Sequence, residues 1–363
     1  MLASCAADAF AIDPFNWDAL NLLAFVGATI NLDLIPGFRT KNKFLYVLAK
    51  IVLLLARYDL SEASKAVEAL NDLAMRTPTF MCLVGRLKFE LVDYKGSYRA
   101  FRIARELDTT RAKDMDYFST LLWHLKKHAE LSFLAHDLID MDRSAPEGWV
   151  ALGNALSLEN DEEGSRLGFQ RAAGLAPRYA YAYTLLGHEY VSAEDYESAL
   201  KYFRLALRYD ARHYNAWYGI GMVFLKQGRP HEGYENLQIA ANINPCNAVL
   251  ECCVGMAQEK LNQEALALAH YSKAVRLQPK STLARYKKSR ALVSIGKYNA
   301  ALEDLKVLQH LATEEANVHF LLGTVYQNLK DYAAARKEFT YALGLDPKGA
   351  HLIKEALESM ATS

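Results

Sequence analysis

Gly153, Gly187, Gly221, Gly255 and Gly323, with Ser289 in the one intervening place, put a small residue at every 34th position without an insertion. Phe169, Phe203, Leu237, Tyr271, Leu305 and Phe339 keep the same interval, as do Ala172, Ala206, Ala240, Ala274 and Ala342. So do Pro177, Pro245, Pro279 and Pro347, whose two vacant places hold Ala211 and Thr313. A fixed interval of this length calls for a supersecondary unit that buries its apolar side on the next copy of itself. One or two globular cores would not produce it. A chain of 363 residues is also long for a single core, and no glycine-, proline- or serine-rich run divides it.

Within the interval, WVALGNAL, YTLLGHEY, WYGIGMVF and HFLLGTVY each present an aromatic residue or His, then Leu or Ile, Gly and a large apolar residue. The order resembles the tetratricopeptide repeat, a helix-turn-helix unit. The resemblance implies an all-α superhelical solenoid of antiparallel helix pairs, with small residues allowing close approach and proline ending the second helix. Six well-formed units cover 146–349. Counting back by 34 adds three degenerate ones, for nine units over 44–349: Gly85, Phe101 and Ala104 mark the unit from Pro78, and Phe118, Leu122 and Leu138 that from Ala112. The unit from Phe44 keeps Ala63, Val67 and Leu70. Residues 350–363 read as a capping helix through Leu352, Ile353, Ala356, Leu357 and Met360. Residues 1–43 read as a remnant of an earlier repeat region, DPFNWDALNLLAFVGA, joined by a short basic loop, PGFRTKNK.

Lys plus Arg equals Asp plus Glu at 42 each, so the summed field favours neither nucleic acid nor an anionic membrane. Five cysteines without a CxxC pair read as small buried thiols in a reducing compartment. The amino terminus lacks the basic start of a signal peptide, and FLYVLAKIVLLLA, from Phe44 to Ala56, is too short to span a membrane and reads as a buried helix. Catalytic and cofactor motifs fail simple tests. HEYVS at His188 lacks the second histidine of HExxH, and GIG at Gly219 lacks a third glycine and a preceding strand. The acidic run Glu159 to Glu163 reads as a solvated corner, and RYKKSR from Arg285 as a solvated basic face. No cofactor, metal or catalytic residue is therefore expected.

What remains is surface. Stacked helix pairs form a groove suited to an extended peptide, faced by the second, fifth, sixth and ninth positions of each first helix. These hold Glu147, Val150, Ala151 and Asn154, then Tyr181, Thr184, Leu185 and His188, then Asn215, Tyr218, Gly219 and Met222. In RYAYAYTLLGHEY the alternation of Tyr179, Tyr181 and Tyr183 with alanine reads as an accident of a repeat junction, with Tyr179 merely ending the turn.

STLLWHLKKHAELSFLAHDLIDMDRSAPEGW, GNALSLE, AYAYTLLGHEY, DARHYNAWYGIGMV and INPC together resemble the third subunit of the anaphase-promoting complex, of the cell-division-cycle twenty-seven type. The likeness covers most of 44–350. It implies a non-catalytic scaffold of a nuclear ubiquitin ligase that controls mitotic exit, with the cytoplasm as a second compartment. Its partners would be neighbouring repeat scaffolds and the carboxy-terminal Ile-Arg tails of activator and processivity subunits. For such a tail, Asn154, His188 and Asn215 would supply polar contacts, Tyr181 and Tyr218 walls, and Glu189 or Glu147 the partner of the arginine. Thr184 and Met222 complete the expected groove.

In that family a longer amino-terminal array dimerises and a long linker follows. Here PGFRTKNK stands in the linker's place, so the chain reads as shortened, and homodimerisation is expected of the complete protein only. A sister scaffold of the same complex is the nearest alternative, against which STLLWHL and GNALSLE speak. A co-chaperone gripping an acidic tail would need paired lysines and asparagines across three units, and no such lysine set follows Asn154.

Overall fold

The computed structural model describes residues 2–28, 30–71, 77–346, 351 and 353–355. Every regular element among them is helical. Residues up to Val223, with Asn242–Cys246, form one compact unit, and Phe224–Ala241, with residues from Asn247 onward, form a second. Both are built from antiparallel helix pairs of the tetratricopeptide type. In the first unit Pro78–Glu90 pairs with Tyr94–Leu107, Met115–His124 with His128–Met141, Pro146–Leu158 with Glu162–Leu175, and Ala180–Ser192 with Tyr196–Tyr209. In the second, Ala248–Lys260 pairs with Glu264–Leu277, Thr282–Ser294 with Tyr298–Leu311, and Ala316–Asn328 with Tyr332–Leu345.

The turn inside each pair is set by one left-handed residue. Tyr58, Val92, Lys126, Asn160, Glu194, Gly228, Asn262, Gly296 and Lys330 all have positive φ, and each stands 34 positions from the next. The backbone rhythm is thus complete even where the side-chain pattern fades. Glycine or asparagine, which tolerate this conformation, fill only four of these places. Aspartate follows at Asp93, Asp161, Asp195 and Asp331, where its carboxylate accepts from the backbone N–H of Gly96, Gly164, Ser198 and Ala334 and so caps the second helix.

Packing depends on the small residues. A Cβ on Gly85, Gly153, Gly187, Gly255 or Gly323 would lie 2.4 to 2.7 Å from the ring of Phe101, Phe169, Phe203, Tyr271 or Phe339 respectively. A Cβ on Gly219, on the next first helix, would meet Cζ of the same Phe203 ring at 2.3 Å. One ring is therefore gripped by two first helices.

The position written as aromatic or His has a single chemical meaning. Trp149, Tyr183, Trp217 and Arg285 donate to the carbonyls of Arg143, Pro177, Ala211 and Pro279, each six residues earlier. His319 Nε2 meets the Thr313 carbonyl at 3.2 Å in the same way. A side-chain donor reaching a carbonyl at the end of the preceding helix is what the slot selects. Glu251, which cannot donate when ionised, instead accepts from His270 and Lys273. In the second unit the slot also pairs across each helix pair, as Glu251–His270, Arg285–Asp304 and His319–Glu338, at 2.8, 3.0 and 2.6 Å.

At the amino-terminal end, helices Leu2–Ile12 and Trp17–Phe25 precede the repeats. The segment read as a basic loop contains instead a short helix, Phe38–Lys41, because Phe38 is buried edge-on between Phe10 and Tyr46, at 5.9 and 5.7 Å. Cys82, Cys252 and Cys253 are buried, but Cys5 is exposed, against the reading of all five as buried thiols. Among the described residues no helix is long and apolar enough to cross a membrane. Of the expected capping helix, Ile353 is buried with Ala335, Phe339 and Ala342. Leu352, Ala356, Leu357 and Met360, like Pro347 and Gly349, lie outside the described residues.

Replacing Phe203 by alanine should cost about 3 to 5 kcal/mol, because two glycine-lined surfaces lose their common ring; urea denaturation measures it. Val92 is β-branched at φ 60°, so Val92→Gly should add about 1 kcal/mol in the same assay.

Candidate functional site

The first helices of the first unit line one face, and the side chains expected there divide into engaged and open groups. Asn154 is only 4% exposed, and its amide donates to Ser119 Oγ at 2.9 Å. Thr184 is 1% exposed and bonds back to the Ala180 carbonyl at 3.1 Å. Glu189 accepts from Ser157 at 2.8 Å. These three are taken up internally, which corrects their placement as open groove residues: neighbouring first helices lie close enough to satisfy Asn154 and Glu189, and Thr184 bonds to its own helix. Glu147, Tyr181, His188, Asn215, Tyr218 and Met222 are half-buried. The His188 ring stands edge-on to Phe203 at 5.1 Å and tilts toward Tyr218 at 6.3 Å.

Sequence reasoning missed the other wall. Tyr181 stacks parallel to Tyr117 at 6.4 Å, and its hydroxyl meets Thr120 Oγ1 at 2.5 Å. Tyr179 donates to Asp116 at 2.6 Å. The tyrosine alternation is therefore no accident, since two of the three reach back past one whole unit to helix Met115–His124. The Arg86 guanidinium lies 4.7 Å over the Tyr117 ring and 3.4 Å from Asp114. Carrying the same positional rule into the degenerate units would have found them: Asp116, Tyr117 and Thr120 are the fifth, sixth and ninth positions from Ala112, and Arg86 is the ninth from Pro78.

Longer-range contacts that no repeat rule encodes tie this face together. Tyr214 and Asn244 both donate to Glu90, at 2.9 and 3.1 Å. Tyr58 meets the Tyr214 ring edge-on at 5.2 Å, and Arg212 donates to the Ala56 carbonyl at 2.7 Å.

Burial governs protonation here. It pushes the Glu90 carboxyl above its ordinary range. It pushes Asp116 up to about 6 against the hydrogen bond from Tyr179, and the charges of Asp114 and Glu147 add to the rise. Burial and the neighbouring His213 hold His188 down to about 4, so its ring is neutral at pH 7. A carboxyl whose folded pKa lies above its unfolded value of about 3.9 keeps its proton better in the folded chain. Its stabilising contribution is full below about pH 4 and is lost as pH rises through about 6. Asp116→Asn, which retains an acceptor for Tyr179, should exceed the unchanged chain in stability by about 2 to 3 kcal/mol at pH 8 and match it near pH 4, as read by urea denaturation at both pH values.

Among the described residues no group of three or more His, Cys, Asp or Glu could hold a metal ion. The face can offer hydrogen bonds, aromatic walls and charge, which is the chemistry of recognition. The tetratricopeptide repeat family matches residues 184–233 and 286–350. Anaphase-promoting complex subunit 3 of Schizosaccharomyces pombe is 42% identical over 328 residues, 89% of this chain and 49% of that protein. Protein bimA of Emericella nidulans is 43% identical over 306 residues, 84% and 38% of the two chains. Cell division cycle protein 27 homolog B of Arabidopsis thaliana is 37% identical over 279 residues, 76% and 38%. The chain thus spans about half or less of the length of these relatives. The crystal structure of the APC/C hetero-tetramer Cut9-Hcn1 shares the fold, with a TM-score of 0.72 at 18% identity over 98% of this chain and 72% of that one.

Proposed function

Because the chain belongs to the family of anaphase-promoting complex subunit 3, which includes the cell division cycle protein 27 homologs, we propose that it is a non-catalytic scaffold and adaptor of that ubiquitin ligase, working in the nucleus in cell-cycle control. Its first unit captures carboxy-terminal Ile-Arg tails of activator and processivity subunits, and neighbouring repeat scaffolds are its other partners.

One observation carries the tail reading. Glu147 and Asn215 make no hydrogen bond or ion pair among the described residues, yet each is the second residue of a first helix on the face that holds Tyr181, His188 and Tyr218. A carboxylate and an amide left unengaged beside aromatic walls match the needs of an arginine tail. The guanidinium would take Glu147, whose charge is already felt at Asp116. The terminal carboxylate would accept from the Asn215 amide. The isoleucine would lie against Tyr181 and Tyr218, with Met222 beside them. A neutral His188 adds a polar edge without repelling the incoming cation.

The test is calorimetric titration of the chain with a peptide ending in Ile-Arg and with its carboxamide twin. The free acid should bind at least about tenfold more tightly, and Glu147→Gln should cost a similar factor. Equal affinity for the two peptides would refute tail capture.

A further inference from the structure

The second unit carries an uncompensated cation. In RYKKSR, Arg285 and Lys288 both pair with Asp304, at 3.0 and 2.5 Å, and Arg290 pairs with Glu259. Lys287 alone of the four makes no hydrogen bond or ion pair among the described residues, although it is half-buried. The groups whose charge it chiefly feels are Arg290, Glu259 and the thiols of Cys252 and Cys253. Glu259 is already spent on Arg290 and on the Tyr271 hydroxyl, at 2.8 Å for the latter. Burial holds both thiols protonated, pushing them up to about 12, so they supply no counter-charge. The adjacent first helix, Ala316–Asn328, contains no acidic residue.

Apolar surface lies next to this charge. Leu283 is 49% exposed, one turn before Lys287 on the same side of its helix. Val249 is 38% exposed, one turn before Cys253 on the neighbouring first helix. A half-buried ammonium with no ion pair of its own is unfavourable in the free chain, and a ligand that brings one removes the penalty. Burial and Arg290 accordingly hold the Lys287 pKa below the ordinary lysine range.

We propose that Lys287 anchors a second peptide site on the first-helix face of the second unit, and that its occupant is an extended segment carrying an aspartate or glutamate beside an aliphatic residue. The acidic side chain pairs with the Lys287 ammonium, and the aliphatic one covers Leu283 and Val249. With Arg290 neutralised by Glu259, the site offers one net positive charge. That balances a carboxylate, whereas a phosphorylated residue brings nearly two negative charges and a nucleic acid backbone needs a row of cations.

Two measurements on the full chain test this. Lys287→Met should raise the thermal midpoint, since it removes an unpaired ammonium and keeps the stem; a fall in midpoint would give Lys287 an internal partner and overturn the proposal. In addition, an array of dodecapeptides, each with one Glu flanked by Leu or Val and each beside its Gln twin, is probed with the unchanged chain and with Lys287→Met. Binding spots should prefer Glu over Gln by about tenfold, and Lys287→Met should abolish the preference. No Glu preference, or a preference that survives Lys287→Met, would overturn it. Affinity for an Ile-Arg tail should not change in Lys287→Met, so this site and the tail reading can fail separately.

Discussion

Five of the helix pairs close where a ring of the second helix lies against the backbone of the first, and glycine is there because no Cβ fits. At Gly153 and Gly187 the space is already filled by Phe169 and Phe203. That contact fixes the distance between the helices, and the distance fixes which side of the first helix remains for other uses. Phe203 shows the coupling most plainly, since Gly219 of the following repeat closes on the same ring. The exposed face is thus a consequence of packing, and every candidate residue on it inherits its direction from the glycine register.

Solenoids are usually treated as one-dimensional, each unit touching only its neighbours. The first unit departs from this. Glu90 receives hydrogen bonds from Tyr214 and Asn244, residues more than 120 positions away, and Tyr179 and Tyr181 reach past an intervening unit to Asp116 and Thr120. Such contacts add cooperativity that nearest-neighbour stacking lacks. They also draw carboxyl groups into surroundings that disfavour their charge, so protonation and packing are linked on this face.

The second unit uses charge at the place where the first uses aromatic rings. Trp149, Tyr183 and Trp217 give way to Glu251, Arg285 and His319, each paired to the second helix of its own unit. Pairing consumes nearly every charge on that side. Lys287 stands out against this background because the economy around it is otherwise complete.

The amino-acid order was enough to declare the helix pairs, their interval, their class and the residues gripping one another inside each pair, because these are local or nearest-neighbour effects that repeat. The same count put Glu147, Tyr181, His188, Asn215, Tyr218 and Met222 on the first helices, where all six are half-buried. Asn154 and Glu189 occupy legible positions too, but whether a polar group there is free depends on how near the adjoining first helix comes, and no periodicity states that distance. Tyr58, Glu90, Tyr214 and Asn244 belong to the same kind: their meeting is set by rotation accumulated over several units, to which each junction adds a small angle. A rhythm of 34 residues specifies a unit and its neighbour; only the folded chain sums the angles and decides which distant side chains meet.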